Sequence, residues 1–201
     1  MAPPGSLLDS PLSEATRALE TIRLDGLHGL ADAELLQLIG ESAQHERLAR
    51  AHSATLAGEL LRRSAPELGH DGLAQRLGHR TPQKLIQATT GSTGREAEQA
   101  VRVGGLAQTH PWLRSILVAV ADGSLSTDAA DAIRAGLGAP GDGVSAELLS
   151  DAAVQLGSDA VSLDADRVFT RARELRDELD AVGIVDRERA AYDARELRFQ
   201  R

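Results

Sequence analysis

Gly91-Ser-Thr-Gly-Arg-Glu-Ala-Glu-Gln-Ala-Val-Arg-Val-Gly104 is the stretch that decides the fold, because a second version of it begins 32 residues later. The second copy reads Gly123-Ser-Leu-Ser-Thr-Asp-Ala-Ala-Asp-Ala-Ile-Arg-Ala-Gly136. Both copies fit the pattern Gly-Ser-x-x-x-acid-Ala-x-x-Ala-(Val/Ile)-Arg-x-Gly. Each follows a short apolar segment with helical character, so each predicts a helix, a Gly-Ser turn and a second helix. That is the outline of a helix-turn-helix.

The composition favours an all-α fold around these two hairpins. Hydrophobic residues make up 42% of the chain, but aromatic residues only 2%. Runs of β-branched and aromatic residues, which would indicate strands, are missing. We therefore predict a multi-helix bundle with one long N-terminal spine helix and two helix-turn-helix-like hairpins.

Prolines, glycines and capping residues divide the chain into predicted elements. We expect residues 1–12 to be a disordered lead-in and residues 13–201 to be a single helical domain, which could divide at the loop 138–144. Helices are predicted at 13–24, 32–63, 73–77, 82–89, 93–108, 111–121, 126–137 and 145–156, and from 164 or 166 to a break at Val182-Gly183. Residues 185–199 are expected to form a charged helix or an extended exit.

The predicted helix at 32–63 contains no proline and spans about eight turns at 3.6 residues per turn. Its apolar residues share one face, namely Leu35, Leu38, Ile39, Ala49, Leu56, Ala57 and Leu60. A helix of this length serves either as a structural spine or as an element that pairs with a partner. A homodimer through 32–63 would use it in the second way.

The helix that begins at Thr93 carries a polar row. Arg95, Gln99 and Arg102 follow one another at spacings of four and three residues, so they lie on one side of the helix. Arginine and glutamine side chains suit the guanine and adenine edges in the major groove of DNA. The row therefore predicts a DNA-recognition helix, and the alternative is a solvated helix face in a bundle that binds nothing.

Positive charge is concentrated around this first copy. Residues 76–114 hold six basic and two acidic residues, whereas 115–167 hold two basic and nine acidic ones. The net charge of −8 for the whole chain argues against indiscriminate nucleic-acid binding. We predict that Arg80, Lys84 and Arg114 contact DNA phosphates.

The second copy fails the same test for DNA recognition. Its outer positions are Thr127, Asp131 and Arg134, and an aspartate in the middle of the row would repel phosphate. We therefore predict that the second copy is structural or forms a partner surface.

No constellation of residues predicts catalysis or a resident cofactor. The chain has no cysteine, which excludes disulfides, thiolate zinc sites and cysteine nucleophiles. Glu41, His45, His52 and Glu59 lie along one flank of the long helix, but the two histidines are about 10.5 Å apart along its axis, too far for one zinc ion. Surface charge pairing at i,i+4 accounts for these residues. We expect no catalytic residue, no metal and no cofactor.

Neither a membrane span nor a secretion signal is predicted. The longest apolar run, 116–121, is far shorter than the roughly 20 residues that cross a bilayer. The N-terminus has no basic segment followed by an apolar one. We expect a cytoplasmic protein without a membrane partner.

Several segments together resemble domain-of-unknown-function family 222, also called the 13E12 repeat family, of actinobacteria and their phages. They are Thr89-Thr-Gly-Ser-Thr-Gly-Arg-Glu-Ala97, Val101-Arg-Val-Gly-Gly-Leu-Ala107, Ala121-Asp-Gly-Ser-Leu-Ser126 and Arg171-Ala-Arg-Glu-Leu-Arg-Asp-Glu-Leu-Asp180. Members commonly carry this helical region ahead of an HNH nuclease domain. The resemblance, over about residues 15–201, implies a DNA-related accessory or targeting module, and no HNH motif occurs in this chain.

Two functions follow as hypotheses. The first is a non-catalytic module that binds double-stranded DNA through the row at Arg95–Arg102, as an accessory region of an HNH-nuclease-type protein. The second is a helical scaffold for protein interaction or oligomerisation that binds no nucleic acid. An intrinsic hydrolase is not favoured, because no catalytic constellation is present.

Overall fold

The computed structural model describes residues 10–22, 25–141 and 143–199, and the side chains of this part up to Gly183. Within these ranges the chain forms ten α-helices and no strand, and two residues, Gly141 and Val144, form an isolated β-bridge. The predicted all-α multi-helix architecture is therefore confirmed.

The ten helices follow one another with short connections, three of which contain 3₁₀ turns, at Leu27–Gly29, Pro66–Asp71 and Pro111–Leu113. In chain order the helices are α1 Pro11–Glu20, α2 Asp32–Arg63, α3 Leu73–Arg76, α4 Pro82–Thr90, α5 Gly94–Gly104, α6 Leu106–Thr109, α7 Arg114–Ala121, α8 Thr127–Leu137, α9 Ala146–Asp159 and α10 Ala165–Phe199. The long helix predicted at 32–63 is confirmed with the same bounds.

The chain divides into two compact units, Met1–Ser42 and Ala43–Arg201. The division falls inside α2 and not at 138–144, the loop that the sequence suggests. The first unit contains α1 and the start of α2, and none of its described residues is buried. The second unit contains the hydrophobic core.

The core of the second unit is built around α8. Ile133 and Leu137 of this helix are fully buried together with Leu113 of the 3₁₀ turn before α7, Leu149 of α9 and other apolar side chains of α7, α9 and α10. Trp112, in the 3₁₀ turn before α7, is also buried. Small residues let helices approach closely, which suits a core with so few aromatic side chains.

Two glycines allow a close helix crossing in the second unit. A Cβ atom at Gly104 would meet the backbone nitrogen of Gly58 at 2.6 Å and would also collide with the Ala54 carbonyl oxygen. The helices α2 and α5 can therefore cross only because both positions lack a side chain.

The capping residues read from the sequence are where they were expected. Thr93 forms a capping box with Glu96 at the start of α5, and the hydroxyl of Ser126 accepts from the N–H of Ala129 at the start of α8. These bonds satisfy N–H groups that have no partner inside the helix. Gly91 precedes Thr93 with a φ of 71°, a value that favours glycine.

Several predicted helix boundaries differ from the structure. The first helix ends at Glu20 instead of residue 24, and the helix predicted at 145–156 continues to Asp159. The first helix begins at Pro11, capped by Ser10, so 11–12 are helical, while residues 1–9 of the expected lead-in lie outside the described residues. The helix predicted at 93–108 ends at Gly104, and a short separate helix follows Gly105. The helix predicted at 111–121 starts as a 3₁₀ turn.

The predicted break at Val182-Gly183 is wrong, because α10 continues to Phe199. Gly183 is buried, and a Cβ there would collide with the backbone of Gly143. Glycine at this position therefore allows a close approach between helix and loop instead of ending the helix. Two alternatives were predicted for residues 185–199, a charged helix or an extended exit, and the continuation of α10 shows that they are helical.

Candidate interaction surfaces

Each copy of the repeated sequence forms a helix, a short turn and a second helix. The first hairpin consists of α4 and α5, joined by residues 91–93, and the second consists of α7 and α8, joined by residues 122–126. The second helices of the two hairpins, α5 and α8, pack against each other. The outer row of the first copy therefore faces the outer row of the second.

The row predicted to read DNA is largely engaged by these acidic partners. The Gln99 amide donates to the Asp128 carboxylate at 2.8 Å, and the Arg102 guanidinium donates to Asp131 at 2.8 Å. Two of its three side chains therefore already hold carboxylates, which corrects the expectation of an open row. Arg95 makes no ion pair within the described chain. The assignment of these residues to DNA stays a prediction.

Asp131 links the two hairpins because it binds two arginines at once. Its second oxygen accepts from the Arg134 guanidinium at 2.8 Å, and its side chain is 18% exposed. Burial raises the pKa of Asp131, but the hydrogen bonds and positive charges of Arg102 and Arg134 outweigh burial and lower it overall. The hydrogen bond to Asp131 in turn raises the pKa of Arg102. The bridge is therefore fully charged at neutral pH.

The other predicted DNA contacts are not gathered into one site. Lys84 and Arg102 line a small polar cleft of about 360 Å³ at the start of α4, and Lys84 also donates to Gln87 at 3.0 Å. Arg80 and Arg114 do not line this cleft. Lys84, Arg80 and Arg114 are exposed and form no ion pair within the described part of the chain.

A larger, apolar cleft of about 550 Å³ lies between α2, α4 and α5. Sequence reasoning missed it. The signal that could have found it is α4, a short helix with Leu85 and Ile86 next to each other but too few apolar positions to be buried on all sides. In the structure both side chains are half-buried, and α4 has no buried residue.

The first unit exposes an apolar face. Leu35, Leu38 and Ile39 lie at the i, i+3, i+4 spacing near the start of α2, and each is at least 41% exposed. The helix α1 exposes Leu12 and Leu19, both 51% exposed. An amphipathic face of this kind normally packs against another apolar surface.

The two glutamates on the flank of α2 have ordinary surface partners. Glu59 accepts from the Arg62 and Arg63 guanidinium groups at 2.7 Å and 2.6 Å, and these hydrogen bonds lower its pKa to about 2. Glu41 accepts from Gln37 at 2.9 Å. Among the described residues no group of three or more histidines, aspartates or glutamates could hold a metal ion.

No helix in the described ranges is long and apolar enough to cross a membrane. Comparison with known proteins found no match to a protein family, a curated protein or a solved structure. The resemblance to family 222 therefore stays a prediction.

Proposed function

We propose that this chain is a non-catalytic helical interaction module that forms a homodimer through the start of α2. The observation that carries this proposal is the exposed apolar face of the first unit. Leu38 and Ile39, at its centre, are 42% and 56% exposed. Large apolar side chains grouped on one helix face lose contact with water when a second copy covers them, which favours association.

The size of the first unit supports the same conclusion. Compact units below about 40 residues rarely bury enough apolar surface to be stable without disulfides, metals or oligomerisation. The first unit, at 42 residues, lies close to this limit, and the chain has no cysteine. A second copy is always present at the concentration of the chain itself, and two-fold pairing is the commonest form of oligomer.

Sedimentation equilibrium of the full chain tests the proposal. We expect a dimer for the parent chain and a monomer for the variant with Leu38→Glu and Ile39→Glu, because each glutamate would have to be buried in the interface. Both residues are exposed, so circular dichroism should show unchanged helicity. The control Val161→Glu, at a 75% exposed site between α9 and α10, should stay dimeric. A monomeric parent chain would refute the proposal.

We propose as a second function that the chain binds double-stranded DNA as an accessory module of an HNH-nuclease-type protein. This proposal includes a cytoplasmic location. Arg80, Lys84, Arg95 and Arg114 favour it, since none of them is neutralised by an ion pair within the described residues. Fluorescence anisotropy with a labelled duplex should show affinity that falls steeply with salt. The variant Lys84→Gln with Arg95→Gln should bind more weakly with a shallower salt dependence. Undetectable binding at low salt would exclude this role.

A further inference from the structure

The apolar cleft of the second unit has the size of a small-molecule site. Its volume of about 550 Å³ lies within the roughly 300–1,000 Å³ that such sites occupy. The stretch of α2 that lines it runs from Arg50 to Leu60 and is about 15 Å long. Its walls are formed by aliphatic side chains, namely Ala54, Ala57, Leu60, Leu77, Leu85 and Ile86. The cleft therefore suits a ligand with an elongated apolar body.

The two charged side chains that line the cleft, Arg50 and Glu96, have opposite signs and are both engaged. Arg50 binds Glu46 at 2.8 Å. Glu96 accepts from the N–H and from the hydroxyl of Thr93, each at 2.8 Å. A charged ligand would lose its hydration in the cleft without an unpaired opposite charge to compensate. The ligand that fits is therefore uncharged.

One hydroxyl group of the cleft lacks a hydrogen-bond partner. Thr127, at the start of α8, lines the cleft and is only 5% exposed, and its hydroxyl forms no hydrogen bond within the described part of the chain. The other hydroxyl groups of the lining are all bonded, namely those of Ser53, Thr89, Thr90 and Ser92. A nearly buried hydroxyl without a partner destabilises the fold. A ligand that bonds to Thr127 would remove this cost.

An unused acceptor lies at the same end of the cleft as this hydroxyl. Gln99 lines the cleft, and its amide nitrogen donates at 2.8 Å to Asp128, the residue that follows Thr127. Because an ionised carboxylate only accepts, this bond fixes which side of the amide faces Asp128. The carbonyl oxygen of Gln99 is left without a partner in the described ranges. The cleft thus presents a hydroxyl that can donate and a carbonyl that can only accept.

We infer that this cleft binds a small, uncharged amphipathic alcohol. The apolar chain of the ligand lies between α2 and α4, and its hydroxyl group donates to the Gln99 carbonyl oxygen and accepts from the Thr127 hydroxyl. A hydroxyl group suits this pair because it is neutral and both donates and accepts at one atom. All residues that line the cleft belong to the second unit, so the inference does not depend on the dimer proposal.

Titration of the isotope-labelled full chain with octanol, followed by NMR, tests the inference. Saturable shifts of backbone amide signals should cluster at residues of the cleft such as Leu85 and Thr127. Octanoate and octylammonium have the same chain length but a charged head group, and they should bind at least about tenfold more weakly because the charge loses its hydration. Heptyl methyl ether, an isomer of octanol that cannot donate, should bind at least about threefold more weakly than octanol.

Substitutions in the chain locate the site. Thr127→Val keeps the shape of the side chain and removes its hydroxyl group, so it should weaken octanol binding at least about threefold without lowering the melting temperature. Thr170→Val, at an exposed threonine of α10 outside the cleft, is the matched control and should leave octanol affinity unchanged. Ala100→Leu, at a half-buried residue of the lining, should fill the cleft and abolish saturable binding.

Three results would overturn the inference. They are no saturable shift with octanol, equal affinity for octanol and for its charged or ether analogues, or octanol affinity unchanged by both Thr127→Val and Ala100→Leu. Cleft signals that shift when the chain is diluted, with no response to octanol, would also overturn it, in favour of a second copy as the occupant. The Leu38→Glu, Ile39→Glu variant should bind octanol with unchanged affinity, so failure here and failure of the dimer proposal are distinguishable.

Discussion

Replacing Asp131 with asparagine should uncouple the two hairpins. The substitution keeps the shape of the side chain but removes the charge that binds Arg102 and Arg134, each at 2.8 Å. Charge-assisted hydrogen bonds contribute about 1.5–3 kcal/mol each when shielded from water. Arg102 is 42% exposed, so solvent screening reduces its contribution to stability to about 1 kcal/mol. Since Arg134 contributes a similar amount, we expect the substitution to lower the free energy of unfolding by about 2 kcal/mol.

Urea and thermal unfolding, followed by circular dichroism, measure this loss. A destabilisation of about 2 kcal/mol lowers the melting temperature of a domain of this size by roughly 4–8 °C. The control is Asp151→Asn, at an exposed aspartate of α9 with no ion pair in the described chain, and it should leave the melting temperature unchanged. An unchanged melting temperature for Asp131→Asn would show that the bridge contributes nothing.

A double-mutant cycle isolates the contact between hairpins. Arg102→Gln, Asp131→Asn and the double variant should give a coupling energy of about 1 kcal/mol, because Arg134 still neutralises Asp131 when Arg102 is removed. A coupling energy within error of zero would refute the reasoning. Because the pKa of Asp131 is lowered in the folded chain, its stabilisation is present above about pH 4 and is lost as the pH falls through the folded value. The parent chain and Asp131→Asn should therefore converge in stability in acid.

Two further predictions test the helix crossing and the charge pairs of α2. Gly104→Ala should lower the free energy of unfolding by about 2 kcal/mol or more, because its Cβ would meet rigid backbone. Gly40→Ala is the control, since open space surrounds this glycine, and it should be neutral or stabilising by up to about 1 kcal/mol. Equal effects of the two substitutions would contradict the close crossing of α2 and α5. The carboxyl pKa of Glu59, measured by NMR, should be about 2. It should rise when Arg62 and Arg63 are replaced with glutamine. A pKa near 4.5 in the parent chain would exclude the ion pairs of Glu59 with these arginines.

The sequence predicts the helices well because their signals are local. Capping residues such as Thr93 and Ser126 determine where a helix starts, and their effect does not depend on distant parts of the chain. Glycine is harder to interpret. Gly183 sits inside a continuous helix, and it is needed there because the backbone of Gly143 approaches it. A contact with a loop forty residues earlier in the chain leaves no local signal.

The sequence does indicate that the two hairpins pair, but only when the helices α5 and α8 are compared with each other. Gln99 and Arg102 are three residues apart on one helix, and Asp128 and Asp131 are three residues apart on the other. Matching spacings with complementary chemistry predict two helices that face each other. Considered separately, the first pair suggests DNA recognition and the second suggests a surface that repels DNA.

The apolar surfaces could be predicted only in part. Leu35, Leu38 and Ile39 form a helical stripe in the sequence, but whether such a stripe is buried in the chain's own core depends on the tertiary structure. The cleft beside α4 arises from the separation of α2 and α4, which no local pattern determines.

A distance measurement between copies tests the central claim of self-association most directly. Because the chain has no cysteine, Ala33→Cys gives a single site for a nitroxide label, exposed on α2 and away from the face of Leu35 and Ile39. Double electron–electron resonance on the full chain should show a defined distance between the two labels of a dimer. The distance should disappear in the Leu38→Glu, Ile39→Glu variant, and a signal without dipolar modulation in the parent chain would contradict self-association through this face.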